Sequence, residues 1–417
     1  VLFAIPIDYR DFVRLAIFAL TYLIVGIGKF PRLRLDRTGA ALVGAAAMVL
    51  AGGISQHEAL AAIDFSTLTL LFGMMIVVAG LRLSGALTAI ARFALQRAHS
   101  GFGLLATIIA AAGVLAAFFI NDVVCLALAP LLLESTRQLE VDPEPYLIGL
   151  ATASNIGSAA TITGNPQNMI VAGYAHLSYG AFASRLAPIA LAGLLVDYAV
   201  IALLYRTQLG SLPGSEGKSV AKKGAPLAPM IRPAVIAFGV LAGFVMGFPT
   251  HLVALGAGAF ALLTRRIPPL EVYRLIDWTL LLLFASLFIV VAGAEKTGFQ
   301  NFVVNLVSVA RLKNPVILTA LIAILSNLVS NVPAVIVFQP IYERMGDGMG
   351  SALLIAASST FAGNLTILGS IANLIVVETA ASQGVTISFY RYFRAGLPIT
   401  IVTLCLAVLL LHLEPGR

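Results

Sequence analysis

The sequence predicts an all-α polytopic membrane protein of two inverted repeats, each with five spans and one re-entrant helical hairpin, and with broken helices at the midplane. Three observations predict it. Of the 417 residues, 59% are hydrophobic and only 11% charged, against about 25% charged in a typical soluble domain. Two long apolar runs carry polar residues at their midpoints, Asn121-Asp122 and Ser330-Asn331. A set of motifs from the first half recurs, in the same order, in the second.

A span needs about 20 apolar residues to cross a hydrocarbon core roughly 30 Å thick. Apolar runs fall near residues 11–29, 38–55, 65–83, 102–134, 145–178, 182–205, 233–248, 250–264, 278–294, 315–342, 350–380 and 395–413. The first is too long for a signal segment and lacks a small-residue cleavage pattern after it, so it reads as a span. The runs 102–134 and 315–342 read as hairpins that enter and leave on one side. Polar backbone at membrane depth survives only where protein buries it or a cavity lines it. Glycine-rich continuous apolar runs exclude the alternating strands of an outer-membrane barrel.

With two hairpins removed, ten full spans remain and the basic loops sort by side. Of the 26 Lys and Arg residues, 18 fall in loops on one side, which the positive-inside rule assigns to the cytoplasm. The net charge of +7 is therefore a topology signal rather than a nucleic-acid footprint. Both termini face outward. The polar segment 207–232, rich in Gly, Ser, Pro and Lys, reads as a cytoplasmic linker between a first repeat, 1–206, and a second, 233–417. The expected location is a bacterial inner membrane.

The repeat is visible residue by residue. IDFSTLTLLFGMMIVVAGLRLSG at 63–85 matches IDWTLLLLFASLFIVVAGAEKTG at 276–298 without a gap, and NDVVCLALAP matches NVPAVIVFQP. TITGNPQNMIV at 161–171 matches TILGSIANLIV at 366–376, and LAPIALAGLL matches GLPITIVTLC. Each half holds five spans, and an odd number inverts the second copy relative to the first.

The chemistry concentrates where helices break. In SNIGSAATITGNPQNMI, residues 154–170, Gly164 permits unwound backbone, and Asn165 caps a new half-helix with Pro166 at its first position. The candidate substrate groups here are Ser154, Asn155, Thr163, Gly164, Asn165 and Asn168. The matching patch supplies Ser359, Thr360, Asn364, Gly369, Ser370 and Asn373, with Ser370 as the cap. The hairpin tips add Asn121, Ser330 and Asn331. Each break exposes N–H groups on one half-helix and C=O groups on the other, which attract anions and cations respectively. No basic residue falls at the middle of a span.

Hairpins, broken helices, the ID(F/W)-T-L motif and SNIGSAAT-x-x-GNPQN together resemble the ion transporter superfamily. Within it the chain is most similar to the branch of arsenical efflux permeases, bacterial anion permeases and the albinism P protein, with sodium/dicarboxylate symporters as further relatives. The resemblance implies alternating access, with hairpin tips and broken helices forming the substrate site. The sodium-coupled dicarboxylate members carry a Ser-Asn-Thr triplet at each tip. Here the tips read Ile120-Asn121-Asp122 and Ser330-Asn331-Val332, so two threonine hydroxyls are missing. An Asn-Asp tip is similar to that of arsenical permeases. The resemblance also brings two partner expectations, a second copy of the chain and, as in some arsenical efflux systems, a soluble ATPase subunit.

Ionisable residues at membrane depth are functional hypotheses by default. Asp122 and Asp197 are accordingly the candidates for coupling to H⁺ or Na⁺, with a hairpin cap as the bland alternative for Asp122 and a packing contact for Asp197. Asp64 and Asp277 read as N-caps. Cys125 reads as a small buried hydrophobe rather than an arsenic ligand, and His176 and His251 as bystanders near the outer surface. The runs 85–99 and 299–312 read as interfacial amphipathic helices. No cofactor or metal cluster is expected, and the absence of HExxH, GxSxG or paired catalytic carboxylates within a span argues against an intramembrane enzyme. The expected activity is export of a small inorganic oxyanion or metalloid acid, arsenite or antimonite foremost, coupled to protons. Sodium/proton antiport and sodium-coupled dicarboxylate symport are the alternatives.

Overall fold

The computed structural model describes residues 8–27, 29–30, 35–95, 100–210, 228–263, 268–298, 309–346 and 348–412. The chain is an all-helical, multi-span membrane protein. Among the described residues, five helices are individually long and apolar enough to cross a membrane: Phe65–Leu83, Gly101–Phe118, Tyr179–Leu204, Trp278–Glu295 and Phe389–His412. Large apolar side chains such as Leu195, Leu203, Phe238, Leu252 and Phe260 are exposed on the bundle surface, as expected where hydrocarbon is the solvent. Most of the 207–232 linker and of the 299–312 run lies outside the described residues. The 85–99 run forms the helix Ala86–Leu95.

Helix starts follow local chemistry. Asp64 and Asp277 cap their helices by accepting from the N–H groups of Thr67 and Leu280, which satisfies donors that the first turn leaves free. Ser55 and Glu58 form a capping box.

Two pairs of helices are joined by tight turns. Gly101–Phe118 turns through Phe119 and Ile120 into Asn121–Gln138, and Pro315–Val329 turns at Ser330 into Asn331–Met345. Ser330 takes the turn with φ 79, a region that favours glycine. Two further helices are interrupted by a 3₁₀ turn. Glu144–Ser158 resumes as Pro166–Tyr174 after a 3₁₀ turn at Ile162–Gly164, and Met349–Ala362 resumes as Ile371–Ser382 after one at Ile367–Gly369.

Packing pairs the halves reciprocally. Phe65–Leu83 packs on Thr250–Leu262, while Trp278–Glu295 packs on Arg37–Leu50. Gly73 lets the first pair approach so closely that a Cβ there would lie 2.4 Å from the Ala254 carbonyl carbon. The hairpins pack on their own broken helices, and Tyr179–Leu204 packs on Phe389–His412. A Cβ on Gly157 would lie 2.1 Å from the Gly113 carbonyl oxygen, so the first hairpin and first broken helix touch backbone to backbone.

Candidate functional site

The two helix breaks are built alike, and the reason is one asparagine in each. Asn168 Nδ2 donates back to the carbonyls of Ser158 at 3.0 Å and Thr161 at 2.8 Å. Asn373, 205 positions later, donates to those of Gly363 at 2.8 Å and Thr366 at 3.0 Å. Each amide satisfies carbonyls that the interrupted helix leaves open, which buried backbone requires. The resuming half-helices are capped as the sequence predicts: Asn165 accepts from Asn168 N–H at 2.9 Å, and Ser370 from Ala372 N–H at 3.3 Å.

From these breaks the two halves reach into each other. Asn155 Nδ2 donates to Asn364 Oδ1 and Asn373 Oδ1, both at 2.9 Å. Its Oδ1 accepts from Asn121 Nδ2 at 2.9 Å and Ser370 Oγ at 3.0 Å. The residue at the matching position of the second half, Thr360, accepts from Asn165 Nδ2 at 3.2 Å and donates to Asn168 Oδ1 at 3.4 Å. Asn165 and Asn168 are the positions that match Ser370 and Asn373, so each half grips the same two places in the other. Asn155 and Thr360 are each 1% exposed. Asn364 Nδ2 donates to the Thr152 carbonyl at 3.4 Å. Asn331, with its amide nitrogen turned inward, donates to the carbonyls of Ser359 at 3.0 Å and Gly369 at 3.2 Å.

Other predicted residues lie at the edge of this network. Ser154 accepts from Cys125 Sγ at 3.1 Å and donates to Ala151 O. Ser359 donates to Ala356 O within its own helix. Thr163 faces away, within 3.2 Å of the Tyr179 hydroxyl. Gly164 and Gly369 serve close packing, since a Cβ on either would lie 2.1 Å from Ser158 O or 2.7 Å from Gly363 O. Ser330 forms the second tip itself.

The two acids differ. Asp122 is half-buried, and its carboxylate meets the backbone N–H of Ala372 where the half-helix Ile371–Ser382 begins. Asp197 is 0% exposed, and neither carboxylate oxygen has a hydrogen-bond partner.

Three contributors escape a reading of the sequence. Gln167 Nε2 donates to Thr360 Oγ1 at 3.2 Å, and Asn327 Nδ2 reaches the Ala362 carbonyl at 3.0 Å. Gln167 stands inside the GNPQN motif, which was signal enough to include it. Glu144, 4% exposed, is clasped by Arg391 at 2.5 Å and by the Tyr205 hydroxyl at 2.9 Å. This clasp ties the start of the first broken helix to the last helix of the chain. Among the described residues no cluster of three His, Cys, Asp or Glu suited to a metal occurs.

A cavity of about 610 Å³ opens beside the first broken helix, between Asp64, Thr67, Met169, Gly173, His176 and His251. It does not reach the amide network, which is closed. The two histidines, read as bystanders, line this cavity.

The profile of the citrate transporter (CitMHS) family matches residues 21–351. The silicon efflux transporter LSI3 of Oryza sativa subsp. japonica is 27% identical, over 94% of this chain and 95% of that one. An uncharacterised transporter of Mycobacterium tuberculosis is 30% identical, over 96% and 99%. Among solved structures, the YdaH transporter of Alcanivorax borkumensis superposes with a TM-score of 0.59 at 16% identity, covering 97% of each chain.

Proposed function

Because the chain belongs to the citrate transporter (CitMHS) family, within the ion transporter superfamily, we propose a specific cargo and coupling for a protein that is a transporter and not an enzyme. It exports a small inorganic oxyanion or metalloid acid, arsenite or antimonite foremost, from the cytoplasm across a bacterial inner membrane in exchange for protons. The observation that carries this reading is the composition of the buried network. Asn, Ser and Thr from both halves meet there, and among the described residues no Lys or Arg joins them. A multiply charged carboxylate buried without a cation costs far more than amide donors return. Asp122 worsens that balance, since a like charge 4 Å away costs about 4 kcal/mol at an effective dielectric near 20. Arsenite near neutral pH is a mostly neutral trihydroxy acid that needs donors and acceptors alone. The name of the rice relative, a silicon efflux transporter, favours the same class of hydroxylated solute.

The inverted repeat belongs to the same proposal, supported by the reciprocal grip of Asn155 and Thr360 and by the crossed helix pairs. The linker 207–232 is then cytoplasmic, and labelling it from outside intact cells would overturn the topology. A second copy and a soluble ATPase subunit are the proposed partners, tested by cross-linking and co-purification.

The test is expression in an efflux-deficient bacterial strain. Lower intracellular arsenic and higher arsenite tolerance are expected, and unchanged tolerance with robust membrane expression sinks the reading. The family's description, citrate transporter, favours a carboxylate as the rival cargo, and its sodium-coupled uptake predicts sodium-dependent accumulation of succinate or citrate in proteoliposomes.

A further inference from the structure

Asp197 lies midway along Tyr179–Leu204, and its position matches Ala407 in the second half. Whatever it does, the repeat did not require it. Its side chain is 0% exposed and both oxygens lack a donor. Burial without donors disfavours an ionised carboxylate, and the site fits the neutral acid. Asp122, by contrast, is half-buried at the first hairpin tip, with the Ala372 N–H beside its carboxyl.

The surroundings of Asp197 hold two hydroxyls able to answer its ionisation. Tyr392, from Phe389–His412, lies near it with a buried hydroxyl that has no partner. Thr152, from Glu144–Ser158, stands beside it and directs its proton to Ile148 O at 2.8 Å. Phe389–His412 also carries Tyr390, Arg391, Arg394, Cys405 and His412, and Arg206–Leu209 carries Arg206. Cys125 lies near Tyr392 on the first hairpin. Glu144 is held at the helix start by Arg391 and Tyr205, and the Tyr146 hydroxyl lies against Gly101. Gly101–Phe118 and Met349–Ala362 carry no ionisable side chain, and Ala228–Val245 carries only Arg232.

Thr152 also connects this acid to the amide network. Its carbonyl accepts from Asn364 Nδ2, and Asn364 Oδ1 accepts from Asn155. A movement of Thr152 toward Asp197 therefore pulls on the pair that joins the two halves.

We propose that Asp197, rather than the hairpin-tip Asp122, holds the exchanged proton, and that its release is felt at the network through Thr152. The proposal rests on the proton-coupled reading above. In the release step the Asp197 O–H bond breaks, the proton passes to water on the cytoplasmic side, and the Tyr392 and Thr152 side chains shift to bring their hydroxyls within donating distance of the carboxylate, Thr152 giving up its bond to Ile148 O. Tyr392 and Thr152 are positioning residues in this scheme.

Two measurements test it. Infrared spectra of the purified protein at neutral pH are expected to contain the carbonyl stretch of a buried, protonated carboxylic acid. That band should vanish in Asp197→Asn and persist in Asp122→Asn, and the opposite pattern overturns the proposal. In proteoliposomes, Asp197→Asn should retain arsenite counterflow, which needs no net proton movement, while efflux loses its pH dependence. Wild-type pH dependence in this variant also overturns the proposal. Tyr392→Phe deprives the carboxylate of a donor and should move the midpoint of the efflux pH profile to more alkaline pH by about one unit, whereas a purely structural tyrosine leaves the midpoint in place. If wild-type vesicles move no arsenite, the cargo assignment fails and the infrared band decides Asp197 by itself.

Discussion

Asn155→Ala is the sharpest test of the amide network. The side chain makes four hydrogen bonds of 2.9 to 3.0 Å, two accepted and two donated. At about 1 kcal/mol net for each, the substitution costs about 4 kcal/mol, because it strands buried groups on Asn121, Asn364, Asn373 and Ser370 together. The matching change Thr360→Val keeps the side-chain volume and loses three contacts of 3.2 to 3.4 Å. Bonds of that length lie at the weak end, so about 2 kcal/mol is expected. Cys125 supplies the assay. It is 0% exposed beside Ser154, whereas the other cysteine, Cys405, is exposed and can be replaced by alanine. With each 1.4 kcal/mol worth a factor of ten, labelling of Cys125 by a thiol reagent in mild detergent should accelerate about a thousandfold in Asn155→Ala and about thirtyfold in Thr360→Val. A rise below tenfold for Asn155→Ala, or an equal effect of both changes, refutes the argument that this network joins the halves.

Other outcomes follow from single positions. Gly157→Ala brings a methyl against the Gly113 carbonyl and should cost about 2 kcal/mol or more by forcing the hairpin from the broken helix. Gly239→Ala, in a helix with open space around it, should gain about 0.5–1 kcal/mol in the same thermal-unfolding series. Ser330→Gly should raise stability by about 1 kcal/mol by relieving the positive φ at the second tip, while Ser330→Ala keeps the strain and gains nothing. Lys296, 2.6 Å from Glu58, and the Ser55 cap hold the Glu58 carboxyl down at about 2. A carboxyl depressed on folding stabilises the protein above its unfolded value and stops doing so as pH falls through the folded one. The gap in melting temperature between wild type and Lys296→Ala should therefore be full at pH 6 and close by pH 2, and a gap that ignores pH argues against this pair.

Local chemistry is what the sequence made readable. Asn165 ahead of Pro166, Ser370 ahead of a resuming apolar stretch, and the Asp64 and Asp277 caps all act within three residues of themselves. Cap chemistry has that range and no more. The hairpins were legible for a related reason: polar residues in the middle of an apolar run have few places to be. Partners across the halves were not legible. Spacing tells which residues share a helix face, but the approach of Asn155 to Asn373 depends on how two broken helices cross, which the glycine contacts at Gly113 and Gly157 help to set. Thr163 illustrates the limit. It lies within the same motif as Asn165, yet a single turn of 3₁₀ helix aims it at Tyr179 instead. The sequence places Asn168 and Asn373 among the candidate substrate groups, whereas the structure gives their Nδ2 groups to the carbonyls of their own breaks.

The closed state of the network has a consequence for selectivity. If the network is the site proposed above, the amides that a solute would meet are already occupied by one another, and entry is a substitution reaction in which the solute displaces the protein's own side chains. Only the difference between the bonds lost and the bonds formed is left to favour binding. A neutral polyhydroxy acid supplies donors and acceptors together and can replace both what Asn155 gives and what it takes. An ionised carboxylate supplies acceptors alone, which would leave the oxygens of Asn364 and Asn373 with nothing to receive. The protein thus carries within its resting structure a reference molecule, made of its own asparagines, against which each candidate cargo is weighed.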